Sequence, residues 1–159
     1  MYEDFTPKAE RAIAQAKLEA CQAKMTRIAL SDLLVGLSQI DCLASKVLRT
    51  FNLTKENFRN SDNMSPSQAL HSFPDSAPQD EDFSPDVRRI ISIGRKTCSL
   101  SGHTYIGTEH LLLAILLDDA GASLMTNLGA NPERICNYTL RLTGRLNVDY
   151  AELRKSLID

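Results

Sequence analysis

Phe5-Thr6-Pro7 returns 78 residues later as Phe83-Ser84-Pro85. The same offset sets Thr26 on Thr104, Ile28 on Ile106, Leu33-Leu34 on Leu111-Leu112 and Ala44-Ser45 on Ala122-Ser123. One deletion later, Thr54-Lys55-Glu56 meets Asn131-Pro132-Glu133. Self-similarity at a fixed long period marks a duplicated supersecondary unit. The two halves must therefore fold alike and bury their apolar faces on a shared core.

Each half reads as helices. In 5–23, Thr6 is an N-cap and Pro7 stands at the first helical position, where a missing N–H does no harm. Phe5 can fold back over that first turn as a hydrophobic staple. Alanines and straight-chain residues follow, with Ile13, Ala16, Ala20 and Ala23 as the inward stripe. Residues 31–39 form a second helix with Leu33, Leu34 and Leu37 inside, and 44–51 a third. Thr54 opens a fourth, with Asn57 three residues on. After residue 82 the order repeats: Ser84 and Pro85 start a helix over 83–100, with Val87, Ile90, Ile91 and Cys98 turned inward. A leucine helix, a short helix at 122–128 ended by Gly129, and a helix from Pro132 to 143 follow. Asp149 and Glu152 open a tail helix.

The polar entrance to the second leucine helix is the richest stretch, Ser101–Leu117. Gly102 permits a chain reversal. Thr108 can cap the helix and Glu109 sits in its first turn, where the helix dipole favours an anion. Leu111, Leu112, Ile115 and Leu116 form a wide apolar face.

Residues 59–82 differ in kind. Three of the six prolines lie there, and 57–82 carry a net charge of −4, while the flanking halves are each nearly neutral. This is expected to be an exposed, mobile linker. Whole-chain net charge is −2, which gives no basic surface for nucleic acid. No run of about 18 apolar residues occurs and the N-terminus is polar, so no membrane span or signal peptide is expected. Cys21, Cys42, Cys98 and Cys136 are scattered without a CxxC pair, as for reduced thiols of a cytoplasmic protein.

With F-[ST]-P at a helix start, GHTYIGTEHLLLAIL about 20 residues on, then a short helix and NLG, the chain resembles the Clp N-terminal repeat. This is the double module at the front of the Clp/Hsp100 AAA+ unfoldases, here most similar to the ClpC and ClpA branch. The second repeat follows the pattern closely. In the first, Lys24–Asp32 stands where GHxxIGTEH is usual, so its glycines, acid and histidine are gone. The resemblance implies an all-α, pseudo-two-fold duplicated four-helix repeat, about eight helices plus a tail helix. Its parts would be a domain at 1–144 (repeat one 3–58, linker 59–82, repeat two 83–144) and a tail at 145–159. It implies a protein–protein interaction module that recognises substrates or adaptor proteins for a Clp unfoldase or protease. The alternative is a stand-alone accessory protein docking on a Clp protease core. In isolation it would be monomeric.

Catalytic signatures are not found. GxxxxGK[ST], GxSxG and HExxH are all absent from the sequence, and an enzyme or a cofactor is not expected. His103, His110 and Cys98 match no usual metal-ligand spacing. A relay of Ser84, His110 and Glu109 fails because adjacent helical residues point about 100° apart. The resemblance instead implies a phosphoarginine-type recognition site. Glu109 would take the guanidinium side-on. Ser84 and the Pro85, Asp86 and Val87 backbone would receive the phosphate at a helix start. In repeat one the counterparts are Thr6 and Ser31, without the acid. For Thr108 and His110 a purely structural role is expected; for Glu109, capping and recognition are both open.

Overall fold

The computed structural model describes residues 4–23, 27–60, 82–143 and 150–158. Within them the chain forms α1 (Pro7–Gln22), α2 (Leu30–Gln39), α3 (Leu43–Thr50), α4 (Lys55–Asn60), α5 (Pro85–Leu100), α6 (Thr108–Leu117), α7 (Asp119–Asn127), α8 (Pro132–Leu142) and α9 (Tyr150–Ile158). The fold is all-helical, two four-helix units and a tail helix, as the repeat requires.

The helix starts follow local chemistry. Thr6 Oγ1 accepts the Ala9 N–H at 3.2 Å, Ser84 Oγ the Val87 N–H at 3.3 Å, and Asn131 Oδ1 the Glu133 N–H at 2.9 Å. A proline follows each cap. Asn57 Oδ1 takes the Thr54 N–H at 2.8 Å. The two short helices α3 and α7 end alike, with Asn52 at φ 60° and Gly129 at φ 84°, one residue from matching under the 78 offset. Asn and Gly tolerate this left-handed turn better than other residues.

Three boundaries depart from the sequence reading. α4 runs to Asn60, so Arg59 is helical rather than linker. α7 begins at Asp119, three residues earlier than expected, because Asp118 caps it by accepting the Ala120 N–H at 3.0 Å. Thr108 is not the cap of α6 but its first residue, and it is buried; Gly107 is the cap. The linker over 61–81, the stop at Gly144 and the cap at Asp149 lie outside the described residues.

α1 packs on α2, and α5 on α6, as two antiparallel hairpins. The sequence suggests one apolar face for α6, yet every residue from His110 to Leu117 is buried. α6 touches α1, α3, α5, α7, α8 and α9, so it has no solvent side and needs none of the polar residues a surface helix carries. Tyr150 of α9 donates its hydroxyl to the Leu116 carbonyl at 2.8 Å, a group left open where α6 breaks at Asp118.

Two short backbone bridges join the repeats, and they are crossed. Phe5 pairs with Ile106, and Ile28 with Phe83. Thr6 N donates to Ile106 O (2.9 Å) and Ile106 N to Asp4 O (2.7 Å). In the mirror-matched pair, Ser84 N donates to Ile28 O (3.0 Å) and Ile28 N to Asp82 O (2.7 Å). Phe5 is therefore more than a staple; it is buried at the seam between repeats. Ion pairs follow the same crossing, Arg95 with Asp4 at 3.3 Å and Lys17 with Asp82 at 4.0 Å. Each contact on one side of the seam is the other shifted by one repeat, which is what a pseudo-two-fold axis demands.

Candidate functional site

The expected site pairs Ser84 with Glu109, and the fold separates them. α5 has 16 residues and spans about 24 Å. The chain turns back at its far end, where Cys98 Sγ donates to the His103 carbonyl at 3.2 Å, and α6 then runs antiparallel. Arg89, one turn into α5, binds Asp118 at the far end of α6 through Nε–Oδ1 at 2.5 Å. Ser84 thus lies beside the end of α6, while Glu109 sits at its start. Thr6 and Ser31 of the first repeat are separated by the same hairpin geometry.

The seam brings together the crossed partners. The loop leading into Glu109 is bonded to the start of α1 through Ile106 and Thr6. The start of α5 is bonded to the loop leading into Ser31 through Ile28 and Ser84. One composite element is therefore Glu109 with the α1 start; the other is Ser31 with the α5 start.

The α5 start is poorly equipped for an anion. Pro85 has no N–H, the Val87 N–H is taken by Ser84 Oγ, and the exposed Asp86 carboxylate stands beside the remaining Asp86 amide. Arg89 pairs with both Asp86 (3.2 Å) and Asp118, and its hydrogen bond to Asp118 raises its already high pKa. Ser31, at the place of the missing acid, is buried. At the α1 start Thr6 Oγ1 holds the Ala9 N–H and Pro7 has none, and the Lys8 amide is the counterpart of the Asp86 amide, with a lysine in place of the acid.

Glu109 keeps 26% of its side chain exposed. Its carboxylate folds over Gly107: a Cβ there would lie 2.7 Å from both carboxylate oxygens. A side chain at the cap would push this carboxylate aside, so Gly107 leaves Glu109 the room to fold back over the turn. His110 closes the turn, its Nδ1 accepting the Gly107 N–H at 2.9 Å, and its Nε2 lies 3.0 Å from His103 Nδ1. Glu109 Oε1 is 3.9 Å from His110 Nδ1.

The three residues His103, Glu109 and His110 bring one ligand atom each within 4.8 Å, a convergence that spacing alone does not reveal because it depends on the loop folding back. Metal ligation would need a lone pair on His110 Nε2. A neutral imidazole whose Nδ1 accepts a hydrogen bond carries its proton on Nε2. Binding a metal would shift that proton to Nδ1 and remove the helix cap, so the arrangement favours a hydrogen-bonded chain over a metal centre. Cys98, the third residue of the sequence-level metal set, has its thiol on the His103 carbonyl; burial, then Glu109 and Asp4, raise its pKa.

Repeat one has rebuilt the same turn from other chemistry. Asp32 stands at the His110 position and its Oδ2 accepts the Ala29 N–H at 3.0 Å. Its Oδ1 takes Arg59 at 3.2 Å, and Arg59 also binds Glu19, so α4 is tied to α1 and α2 at once. Burial pushes the Glu19 pKa up, but Arg59 and then Lys55 outweigh it and hold the carboxyl below its usual range. None of Glu19, Asp32 and Arg59 stands out in the sequence, because the contacts span 27 and 40 residues.

The Clp repeat (R) N-terminal domain profile matches residues 4–128 and, again, 82–157. The chain is 29% identical over 150 residues to the chloroplast ATP-dependent Clp protease ATP-binding subunit ClpA homolog CD4B of Solanum lycopersicum, covering 92% of this chain and 16% of that protein. It is also 29% identical over 150 residues to chloroplast chaperone protein ClpC1 of Arabidopsis thaliana, again covering 92% of this chain and 16% of that protein. It thus spans about a sixth of these relatives. Among solved structures, the N-terminal domain of the chaperone ClpD from Arabidopsis thaliana superposes with a TM-score of 0.69 at 23% identity, covering 91% of this chain and 97% of that one, a likeness of fold.

Proposed function

Since the chain belongs to the Clp repeat N-terminal domain family, we propose that it is a non-catalytic recognition module that receives substrate or adaptor proteins for a Clp-type ATP-dependent unfoldase. The observation that carries the reading is Glu109. It is a partly exposed carboxylate at the seam between repeats, held over Gly107 at the positive end of α6 and beside the start of α1. A carboxylate so placed can take a guanidinium through two parallel hydrogen bonds. The Lys8 amide and the α1 dipole then offer an anion such as a phosphoryl group a place next to it. The crossed geometry supports moving the anion-binding half of the site from Ser84 to the Thr6–Lys8 turn.

The buried Ser31 and the acidic Asp86 at the other end of the seam support one ligand per chain rather than two. Titration with phosphoarginine followed by amide NMR tests this. The Lys8 and Glu109 amides should move together with a stoichiometry of one, while those after Ser84 stay still. No movement at millimolar ligand refutes the site; movement confined to the Ser84 turn refutes the crossed assignment. Retention of the chain on an immobilised Clp ATPase ring or Clp protease core tests the wider role.

A further inference from the structure

Two imidazoles close the entrance to α6 with a fixed polarity. The Gly107 N–H can only donate, so the buried His110 Nδ1 is an acceptor. His110 Nε2 then carries the proton and donates to His103 Nδ1, 3.0 Å away. His103 keeps its own proton on Nε2, in the exposed part of the loop. One more proton cannot enter this chain without breaking a link. On His103 Nδ1 it would set two N–H groups face to face; on His110 Nδ1 it would confront the Gly107 N–H. The Glu109 carboxylate stands within reach to compensate it, 3.9 Å from His110 Nδ1 and within 4.8 Å of the His103 ligand atom.

Among the described residues, α5 contributes the Cys98 thiol, whose pKa is raised by burial, Glu109 and Asp4. Asp4, from the segment before α1, is paired with Arg95. The loop itself contributes the exposed Tyr105 phenol. The matching turn of repeat one is a built-in contrast: Asp32, backed by Arg59, holds the Ala29 N–H with a carboxylate in place of the imidazole.

We propose that the His103–His110 pair is a proton-operated gate on Glu109. Proton uptake draws the Glu109 carboxylate into an internal pair with an imidazolium and withdraws it from cationic ligands. A guanidinium-bearing ligand docks while the pair is neutral and is released when the pair takes up its extra proton. The gate rests on the reading of Glu109 as the recognition carboxylate, and the experiment separates the two. The histidines are positioning residues here, acting through Glu109.

Long-range nitrogen–proton NMR of the imidazoles from about pH 8 to pH 5 reads the gate without any ligand. At the upper end His110 should show a bare Nδ1 and a protonated Nε2. As the pair takes up a proton, the Gly107 amide should shift and lose exchange protection while the Ala29 amide does not. Glu109→Gln should move the pair's protonation midpoint to lower pH. A His110 protonated on Nδ1 at pH 8, or a midpoint untouched by Glu109→Gln, overturns the gate.

Phosphoarginine titrations at about pH 7.5 and 5.5 then read the consequence. Affinity should fall about fivefold or more in the wild type, the low end of typical site-to-site coupling. It should stay level in His103→Asn/His110→Asn, whose amide at position 110 can still take the Gly107 N–H. Equal affinity at both pH values, or an equal fall in the double variant, also overturns the gate. Absence of binding at either pH removes the recognition reading, while the midpoint shift still decides whether the pair is coupled to Glu109.

Discussion

Gly36→Ala sets two physical effects against each other. Gly36 lies within α2, where alanine is favoured over glycine by about 1 kcal/mol of helix propensity. Propensity alone therefore predicts stabilisation. But a Cβ at Gly36 would lie 2.3 Å from the Ala12 carbonyl oxygen, 3.0 Å from Ala16 N and 3.2 Å from Ala16 Cβ. The obstacles are mostly backbone, so no rotamer change relieves them and α1 itself must move off α2. Overpacking of this kind costs about 1–3 kcal/mol, and more where nothing can yield. With the cost at the upper end of that range and about 1 kcal/mol returned by propensity, we expect a net loss of about 1–2 kcal/mol, a Tm drop of roughly 2–8 °C for a domain of this size.

The duplicated repeat supplies the control. Gly36 aligns with Ala114, and Ala16 with Gly94. The first hairpin thus crosses with alanine on its long helix and glycine on its leucine helix, and the second reverses them. A Cβ at Gly94 meets only Ile106 Cγ2 at 3.7 Å, Leu111 Cδ2 at 3.8 Å and Ala114 Cβ at 3.9 Å, ordinary contacts. Gly94→Ala should therefore stabilise by about 0.5–1 kcal/mol. Urea unfolding followed by circular dichroism, with both variants beside the wild type, reads the two signs. Stabilisation by Gly36→Ala, or shifts of the same sign in both, would refute the reasoning.

Other perturbations test other links. Leu112→Ala in the fully enclosed α6 should cost about 2–5 kcal/mol, whereas Glu109→Ala should stay within about 0.5 kcal/mol; equal thermal shifts would undo this division between core and recognition. Arg59→Ala removes the guanidinium from the buried Asp32 and leaves Glu19 with Lys55, 3.4 Å away, and should cost about 3 kcal/mol at neutral pH, the low end for breaking a buried pair. The Glu19 carboxyl titrates lower in the folded chain than when unfolded. Its contribution is therefore present above the unfolded value, about 4.3, and is lost as pH falls through the folded one. The wild type should weaken across that window and Arg59→Ala less so, in urea titrations at stepped pH. Burial, then Glu133, pushes the Cys136 thiol up to about 12. At pH 8 iodoacetamide should label the half-buried Cys21 well before Cys136, by peptide mass spectrometry; early Cys136 labelling would mean that α8 opens readily.

Much of this protein is set by neighbours in sequence, and such features can be read without a structure. Thr6-Pro7, Ser84-Pro85 and Asn131-Pro132 start helices because capping is a bond between residues two or three apart. The duplication showed that both halves share one design, and so implied a two-fold core. The glycines, acid and histidine of Gly102–His110 marked the better-kept copy of the duplicated turn. Asn52 as the left-handed end of α3 went unread, since asparagine serves many purposes and only its alignment near Gly129 hints at this one.

The tertiary structure decided which ends meet. A 16-residue helix folded back on its partner puts its own two ends a helix length apart. Residues aligned within one repeat therefore cannot share a ligand, and the seam pairs Glu109 with the start of α1. Burial on every side of α6, the Arg59 clamp on Glu19 and Asp32, and the His103–His110 chain likewise arise only when distant segments pack. Local sequence sets what each segment can form; the partners that bury and neutralise its side chains are chosen by the packing of all of them together.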